Sequence, residues 1–174
     1  MFQVNDYVVC GSHGVCVVKA VGAVDIGAAD KTRLYYTLEP LYLKGNTVYT
    51  PVDNQKSVMR DIISREDAWK LIDKIPDIEM LGTVEDKKPE AGYKEVMGRY
   101  ECRGWIQIIK TLYLRKQGRL KEGRKNIARD DIYLKAAQDY LFGELAVALG
   151  MEKDEVETYI IDRMRRKDVT KSLS

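Results

Sequence analysis

Apolar positions recur every second residue through residues 1–62 and every third or fourth residue after that. The first rhythm predicts strands and the second predicts helices. Val8-Val9-Cys10 and Val15-Cys16-Val17-Val18 flank Gly11-Ser12-His13-Gly14, which reads as two strands joined by a tight turn. Lys31 to Pro40 is predicted as a third strand, with Leu34, Tyr36 and Leu38 on one face. Lys44-Gly45-Asn46 turns the chain into a fourth strand, Thr47 to Val52, whose Pro51 suits an edge or a strand end. Residues 22–30 read as a loop. Short strands separated by turn residues predict a curled sheet or small β-barrel. Such a sheet can pair with another chain along an exposed edge, and Thr47 to Val52 is the candidate edge.

Ser64-Arg65-Glu66-Asp67 opens the helical pattern: Ser64 can cap the free amides, and the two acids oppose the positive end of the dipole. Ala68, Trp69, Ile72 and Ile75 form the predicted inner face, with Trp69 in the core, and Pro76 ends the helix. Residues 76–92 read as a loop with a turn of helix near Ile78 to Leu81. Tyr93 to Arg103 resumes a helix that Gly104 is expected to end. Trp105, Ile108, Ile109, Leu112 and Tyr113 then make one stripe of a new helix. Asp130-Asp131 is read as the capped start of a long helix through Leu149, striped by Leu134, Ala137, Leu141, Leu145 and Ala148, with Gly150 as its stop. A last helix is expected over residues 152–166, acidic at its start and basic at its end, with Thr170 to Ser174 frayed. The fold class is therefore α+β, with a β domain over residues 1–62 and an all-α domain over 63–174.

Charge sharpens the picture. The net charge is only +2, but residues 1–62 balance, and the excess lies beyond them. From Lys110 to Arg129 eight basic residues face Glu122 alone. The apolar stripe of the preceding helix fades there, which suggests a cationic loop anchored by a greasy helix and suited to a polyanion.

Catalytic chemistry has little to stand on. The single histidine sits in a glycine turn, and no phosphate-binding glycine loop or nucleophile elbow occurs. Cys10-x-x-His13-x-x-Cys16 lacks a fourth zinc ligand nearby, so the cysteines read as sheet residues and no metal or cofactor is expected. Three cysteines and an N-terminus without a signal-like pattern fit free thiols in a reducing cytoplasm. No run is long enough to span a bilayer.

The segment VNDYVVCGSHGVCVV resembles the first hairpin of the CarD family of bacterial transcription regulators (CarD/CdnL/TRCF-like). TVYTPVDN and VMRDIIS resemble its last barrel strand and the lead-in to its helical domain, and WIQIIKTLYLRK and YLKAAQDYLFGELA resemble two of its C-terminal helices. The resemblance implies a Tudor-like (SH3-like) barrel that binds the β subunit of bacterial RNA polymerase, here through Thr47, Val48, Tyr49, Thr50 and Pro51. Tyr49 stands where the family has an arginine. It also implies a helical domain that touches promoter DNA at the upstream edge of the melted region and alters open-complex stability, in a non-catalytic protein taken as a monomer. The family's Tyr-Lys helix start matches Tyr93 and Lys94, with Lys87 and Lys88 just before. The tryptophan that wedges into the minor groove in the best-known members is missing, its neighbourhood here being Lys88-Pro89-Glu90. Trp105, on the apolar stripe, does not replace it. DNA contact would then rest mainly on phosphates, through Lys87, Lys88 and Lys94 and through Arg115, Lys116, Arg119, Lys121, Arg124 and Lys125. The competing reading is a protein–protein adaptor whose basic stretch is only a solvated surface. An accessory nucleic-acid-processing enzyme is disfavoured by the residue inventory.

Overall fold

A computed structural model describes residues 1–82 and 89–173. The chain forms two compact units, Met1–Ile62 and Ile63–Ser174.

The first unit is one antiparallel sheet of five strands: β1 (Tyr7–Cys10), β2 (Val15–Gly22), β3 (Tyr35–Pro40), β4 (Val48–Pro51) and β5 (Met59–Asp61), in the order β4-β3-β2-β1-β5. The β1–β2 turn depends on its glycines, since Gly11 and Gly14 both have positive φ, 45° and 68°. Val8, Cys10, Cys16, Val18, Tyr36 and Leu38 share one buried cluster. Val48 and Met59, from opposite edges of the sheet, also pack on it. A flat sheet could not bring both edges to one core, so this one is curled. The β2–β3 register shifts between Val18 and Ala20, an irregularity of the kind that bends and twists a ladder. Among the described residues no ladder joins β4 to β5, so the small barrel expected from the strand pattern is an open curled sheet. The strand pattern also missed β5, whose three residues are too few to show an alternation.

The second unit holds α1 (Arg65–Asp73), α2 (Pro89–Met97), α3 (Cys102–Lys121), α4 (Ala128–Leu149) and α5 (Val156–Leu173). Ser64 caps α1 as expected, its Oγ accepting from the Asp67 amide at 3.1 Å. Trp105, Ile108 and Leu112 of α3 and Ala137, Leu141 and Leu145 of α4 supply the core. Trp105 stacks on Tyr140, with ring centroids 5.4 Å apart. Tyr113, expected on the buried stripe, is exposed, and Ile106 is buried instead.

Gly104 does not stop a helix. The break lies at residues 98–101, where Tyr100 takes a φ of 50°, and Gly104 is buried inside α3. A Cβ built there would meet Val96 Cγ1 of α2 at 2.8 Å, so the missing side chain is what lets the two helices approach. Gly104→Ala is expected to destabilise the unit by about 1–3 kcal/mol. Denaturant unfolding would read this, and adding Val96→Ala should restore part of the loss.

The basic stretch is helix, not loop, as far as Lys121. Arg124 N–H donates to Arg119 C=O at 2.9 Å and Gly123 N–H to Leu120 C=O at 3.1 Å, with Gly123 at a φ of 70°. This Schellman closure ends α3. The helix α4 ends the same way at Gly150, whose φ is 67°. It begins two residues before the expected cap, so Asp130 and Asp131 lie within its first turn. The last helix continues past residue 166 to Leu173, started by a capping box between Glu152 and Glu155.

Candidate functional site: a free sheet edge and a cationic helix end

Strand β4 lies at an edge of the sheet. Its pairing with β3 sets Val48 against Leu38, Tyr49 against Thr37, Thr50 against Tyr36 and Pro51 against Tyr35. Val52 N–H donates to Leu34 C=O at 2.9 Å in the same register. Bonded pairs alternate along an antiparallel ladder, so Thr50 and Val48 turn their backbone groups toward β3, and Tyr49 and Pro51 turn theirs away. Pro51 has no N–H to lose, so its position costs the ladder nothing. The outer rim of β4 thus presents the N–H and C=O of Tyr49, while the Pro51 C=O already accepts from Asn54 N–H at 3.0 Å.

The side chains divide accordingly. Val48 packs inward on the cluster, and Thr50 is buried, its Oγ1 accepting from Asn54 Nδ2 at 3.1 Å. Tyr49 is 39% exposed, and Thr47 is exposed just ahead of the strand. Of the five residues implied for polymerase binding, then, Thr47 and Tyr49 present side chains and Tyr49 presents backbone.

Near the hairpin, His13 is exposed, whereas Cys10 and Cys16 are buried free thiols. Burial, reinforced by Cys10, pushes the Cys16 thiol up to about 12, far from a thiolate.

In the helical unit the basic residues fall into two groups. The first is spent on packing. Lys110 Nζ donates to the carbonyls of Ile75, Pro76 and Ile78 at 2.8, 3.2 and 2.6 Å, pinning the turn after α1 to α3. Arg115 Nε lies 3.2 Å from Oδ2 of Asp130, which is 2% exposed. Lys116 Nζ bonds Asp131 Oδ1 at 3.2 Å. These pairs tie α3 to α4, so Arg115 and Lys116 are interhelical clamps as well as candidate DNA contacts. The second group clusters at the end of α3: Arg119, Lys121, Arg124 and Lys125, with Glu122 the one acid among them. Arg119 Nε bonds the Lys125 carbonyl at 3.0 Å, and Arg124 lies 3.5 Å from Glu122. Lys121, Arg124 and Lys125 are exposed. Cations here also offset the negative end of the α3 dipole.

Lys94, on α2, pairs with Glu90 at 3.3 Å and is well exposed. Tyr93 is buried, its hydroxyl accepting from Arg115 at 3.3 Å and its ring packed on Tyr133. Lys87 and Lys88 lie outside the described residues. Arg129, Glu90 and Tyr133 join this neighbourhood without having been singled out from the sequence. Arg129 Nη1 and Tyr133 OH each lie 3.5 Å from the Glu90 carboxylate. Arg129 and Tyr133 lie 39 and 43 residues from Glu90 in the chain, so no local spacing signals the group.

Trp69 is not a core residue. It is 36% exposed, and its indole N–H donates to Tyr159 OH at 2.9 Å. Arg65 and Arg163 approach its ring at 5.9 and 5.8 Å from the centroid. Arg163 also bonds Asp73 through Nε and Nη2, at 2.8 and 3.1 Å, and this holds the Asp73 carboxyl below its ordinary range. Because the folded value is depressed, the tie contributes fully above the unfolded pKa of an aspartate and is lost as pH falls through the folded one.

Among the described residues no group of histidine, cysteine or acidic side chains could hold a metal ion, and no helix is long and apolar enough to cross a membrane. Residues 2–63 match the family model of the CarD-like/TRCF RID domain. Over this N-terminal stretch the chain is similar to the CarD-like family, and the match supports membership in it. The RID domain is a non-catalytic protein-interaction module of transcription-related proteins that engage RNA polymerase β. No curated protein matches the chain.

Proposed function

We propose that this protein is a transcription regulator that docks its N-terminal unit on the β subunit of bacterial RNA polymerase and applies its helical unit to promoter DNA, changing the stability of the open complex. The observation that carries the reading is the RID match over residues 2–63, taken with a β4 edge whose outer rim is unpaired within its own sheet. In this reading β4 recruits a strand of the partner by backbone pairing, and Tyr49 adds side-chain contact. The unit plays the part of a Tudor-like module although its sheet is open. The helical unit offers phosphates the exposed cations Lys94, Lys121, Arg124 and Lys125 and the half-buried Arg119, with Lys87 and Lys88 adjacent in sequence. Tethering to polymerase raises the local concentration of a weak DNA binder, so a modest cluster suffices. The protein acts in the bacterial cytoplasm, as a monomer and without a cofactor.

The test is an untagged pull-down from bacterial lysate, followed by promoter binding of the polymerase complex across a salt series. Recovery of polymerase subunits is expected. Glutamine at Arg119, Lys121, Arg124 and Lys125 together should weaken binding and flatten the log–log salt slope by about 2–4, near 0.9 per phosphate contact. An unchanged slope would remove this cluster from the DNA interface. A second reading, an adaptor without a DNA role, is favoured by one observation: Arg115, Lys116 and Lys94 are all ion-paired within the unit. Polymerase capture with promoter binding insensitive to every one of these cations would select it.

A further inference from the structure

The carboxylate of Glu90 lies where three donors from two helices converge. Lys94 Nζ of α2 is 3.3 Å from Oε1, Arg129 Nη1 of α4 is 3.5 Å from Oε2, and Tyr133 OH of α4 is 3.5 Å from Oε1. Tight charge-assisted bonds are about 2.7–2.9 Å long, so Glu90 is held loosely. It is also within reach of solvent: the Glu90 and Arg129 side chains are each 40% exposed and Lys94 is 69% exposed. The donors behind it are fixed. Tyr133 packs on the Tyr93 ring at 5.5 Å, and buried Asp130 faces both Arg115, at 3.2 Å, and Arg129 Nε, at 4.0 Å. Two cations and a hydroxyl arranged around one exchangeable anion suit the paired anionic oxygens of a phosphodiester as well as they suit a carboxylate.

We propose that Lys94, Arg129 and Tyr133 form a phosphate-binding site for nucleic acid, and that Glu90 occupies it in the free protein as an internal competitor. This deepens the DNA reading above and rests on it. A phosphate that displaces Glu90 takes over its partners, so the free protein binds DNA more weakly than its charge allows. Removing the Glu90 charge unmasks the site.

Full-length protein, E90Q and E90Q/K94Q/R129Q are titrated against a labelled mixed-sequence DNA duplex over a potassium chloride series. E90Q is expected to bind about two- to tenfold tighter at low salt, the worth of one or two exposed ion pairs. Its salt slope should steepen by about one, and the triple variant should lose the gain. A structural role for Glu90 gives the opposite sign, since loosening α2 would weaken binding. Unchanged or weaker binding by folded E90Q overturns the proposal. So does a gain that survives in the triple variant, or an equal gain from Glu95→Gln, which removes one charge elsewhere on α2. If E90Q does not fold, Glu90→Asp supplies the readout: its shorter reach should give a smaller gain, and no gain overturns the proposal. Inorganic phosphate at matched ionic strength is the second arm, and E90Q gaining affinity for it alone would mark a small-anion site and overturn the nucleic-acid assignment. If only these variants are silent, the inference falls and the DNA reading survives through the end of α3. If the Arg119 to Lys125 variant is silent as well, that reading falls too.

Discussion

Tyr49→Pro is expected to cut capture of RNA polymerase by about tenfold or more, while the sheet keeps its thermal transition within a few degrees. The asymmetry follows from register. The Tyr49 N–H points away from β3, so a proline there breaks no bond within the protein and removes the one donor on the outer rim. One lost interchain bond together with an exposed aromatic is worth about 1–2 kcal/mol, and tenfold corresponds to about 1.4 kcal/mol. Tyr49→Ala, which keeps the N–H, should lose less. Thr50→Pro is the opposite control: its N–H faces β3 and its side chain is buried, so it should unfold the sheet. Equal capture by wild type and Tyr49→Pro would move the interface off β4, even if polymerase remains the partner.

The second large effect is expected at Glu144. This carboxylate is fully buried on α4, accepting from Ile63 N–H at 2.8 Å and from the Cys102 thiol at 3.1 Å. It thereby fastens the segment leading into α1 and the first residue of α3 to one point. Glu144→Ala leaves a cavity and a buried amide without its acceptor, and a loss of about 3–5 kcal/mol is expected for the helical unit. Glu144→Gln retains one acceptor oxygen and should lose less. Urea unfolding followed by helical circular dichroism would separate the two, and equal stability for wild type and Glu144→Ala would show that water or a neighbour takes over the bonds.

Glu144 also shows where a single sequence stops being legible. It sits among apolar neighbours at a position that a solvent-facing acid could equally occupy, and its partners are 81 and 42 residues away. Features set by local chemistry were readable. The Gly11/Gly14 turn, the Ser64 cap and the Gly150 stop each follow from residues within a few positions, and the alternation marked Tyr36 and Leu38 on the inner face of β3, although Leu34, read with them, is exposed ahead of the strand and Tyr35, read as outward, is buried. Features set by a distant contact were not. Gly104 reads as a helix breaker until Val96 is placed against it. Trp69 reads as core until Arg65, Arg163 and Tyr159 give it a place at the surface.

The basic stretch was visible as charge but not as structure. Only the α3–α4 pairing shows that Arg115 and Lys116 are spent on Asp130 and Asp131 and that the exposed remainder lies from Lys121 onward. Glu90 follows the same logic. In a stretch of mixed charge with Glu85, Asp86, Lys87 and Lys88 it looks like one more solvated acid, and only folding brings Arg129 and Tyr133 to it.

The rim of β4 has one more property. Were two copies of the protein to zip together antiparallel along this strand, centred on Thr50, the Tyr49 carbonyl of each would find a pyrrolidine ring where it needs an amide. Self-recognition is thereby handicapped at the place where an unguarded strand would invite clumping in a crowded cell. A foreign strand whose own hydrogen-bonding pattern skips that position suffers no such mismatch. One imino acid thus makes the surface selective as well as sticky.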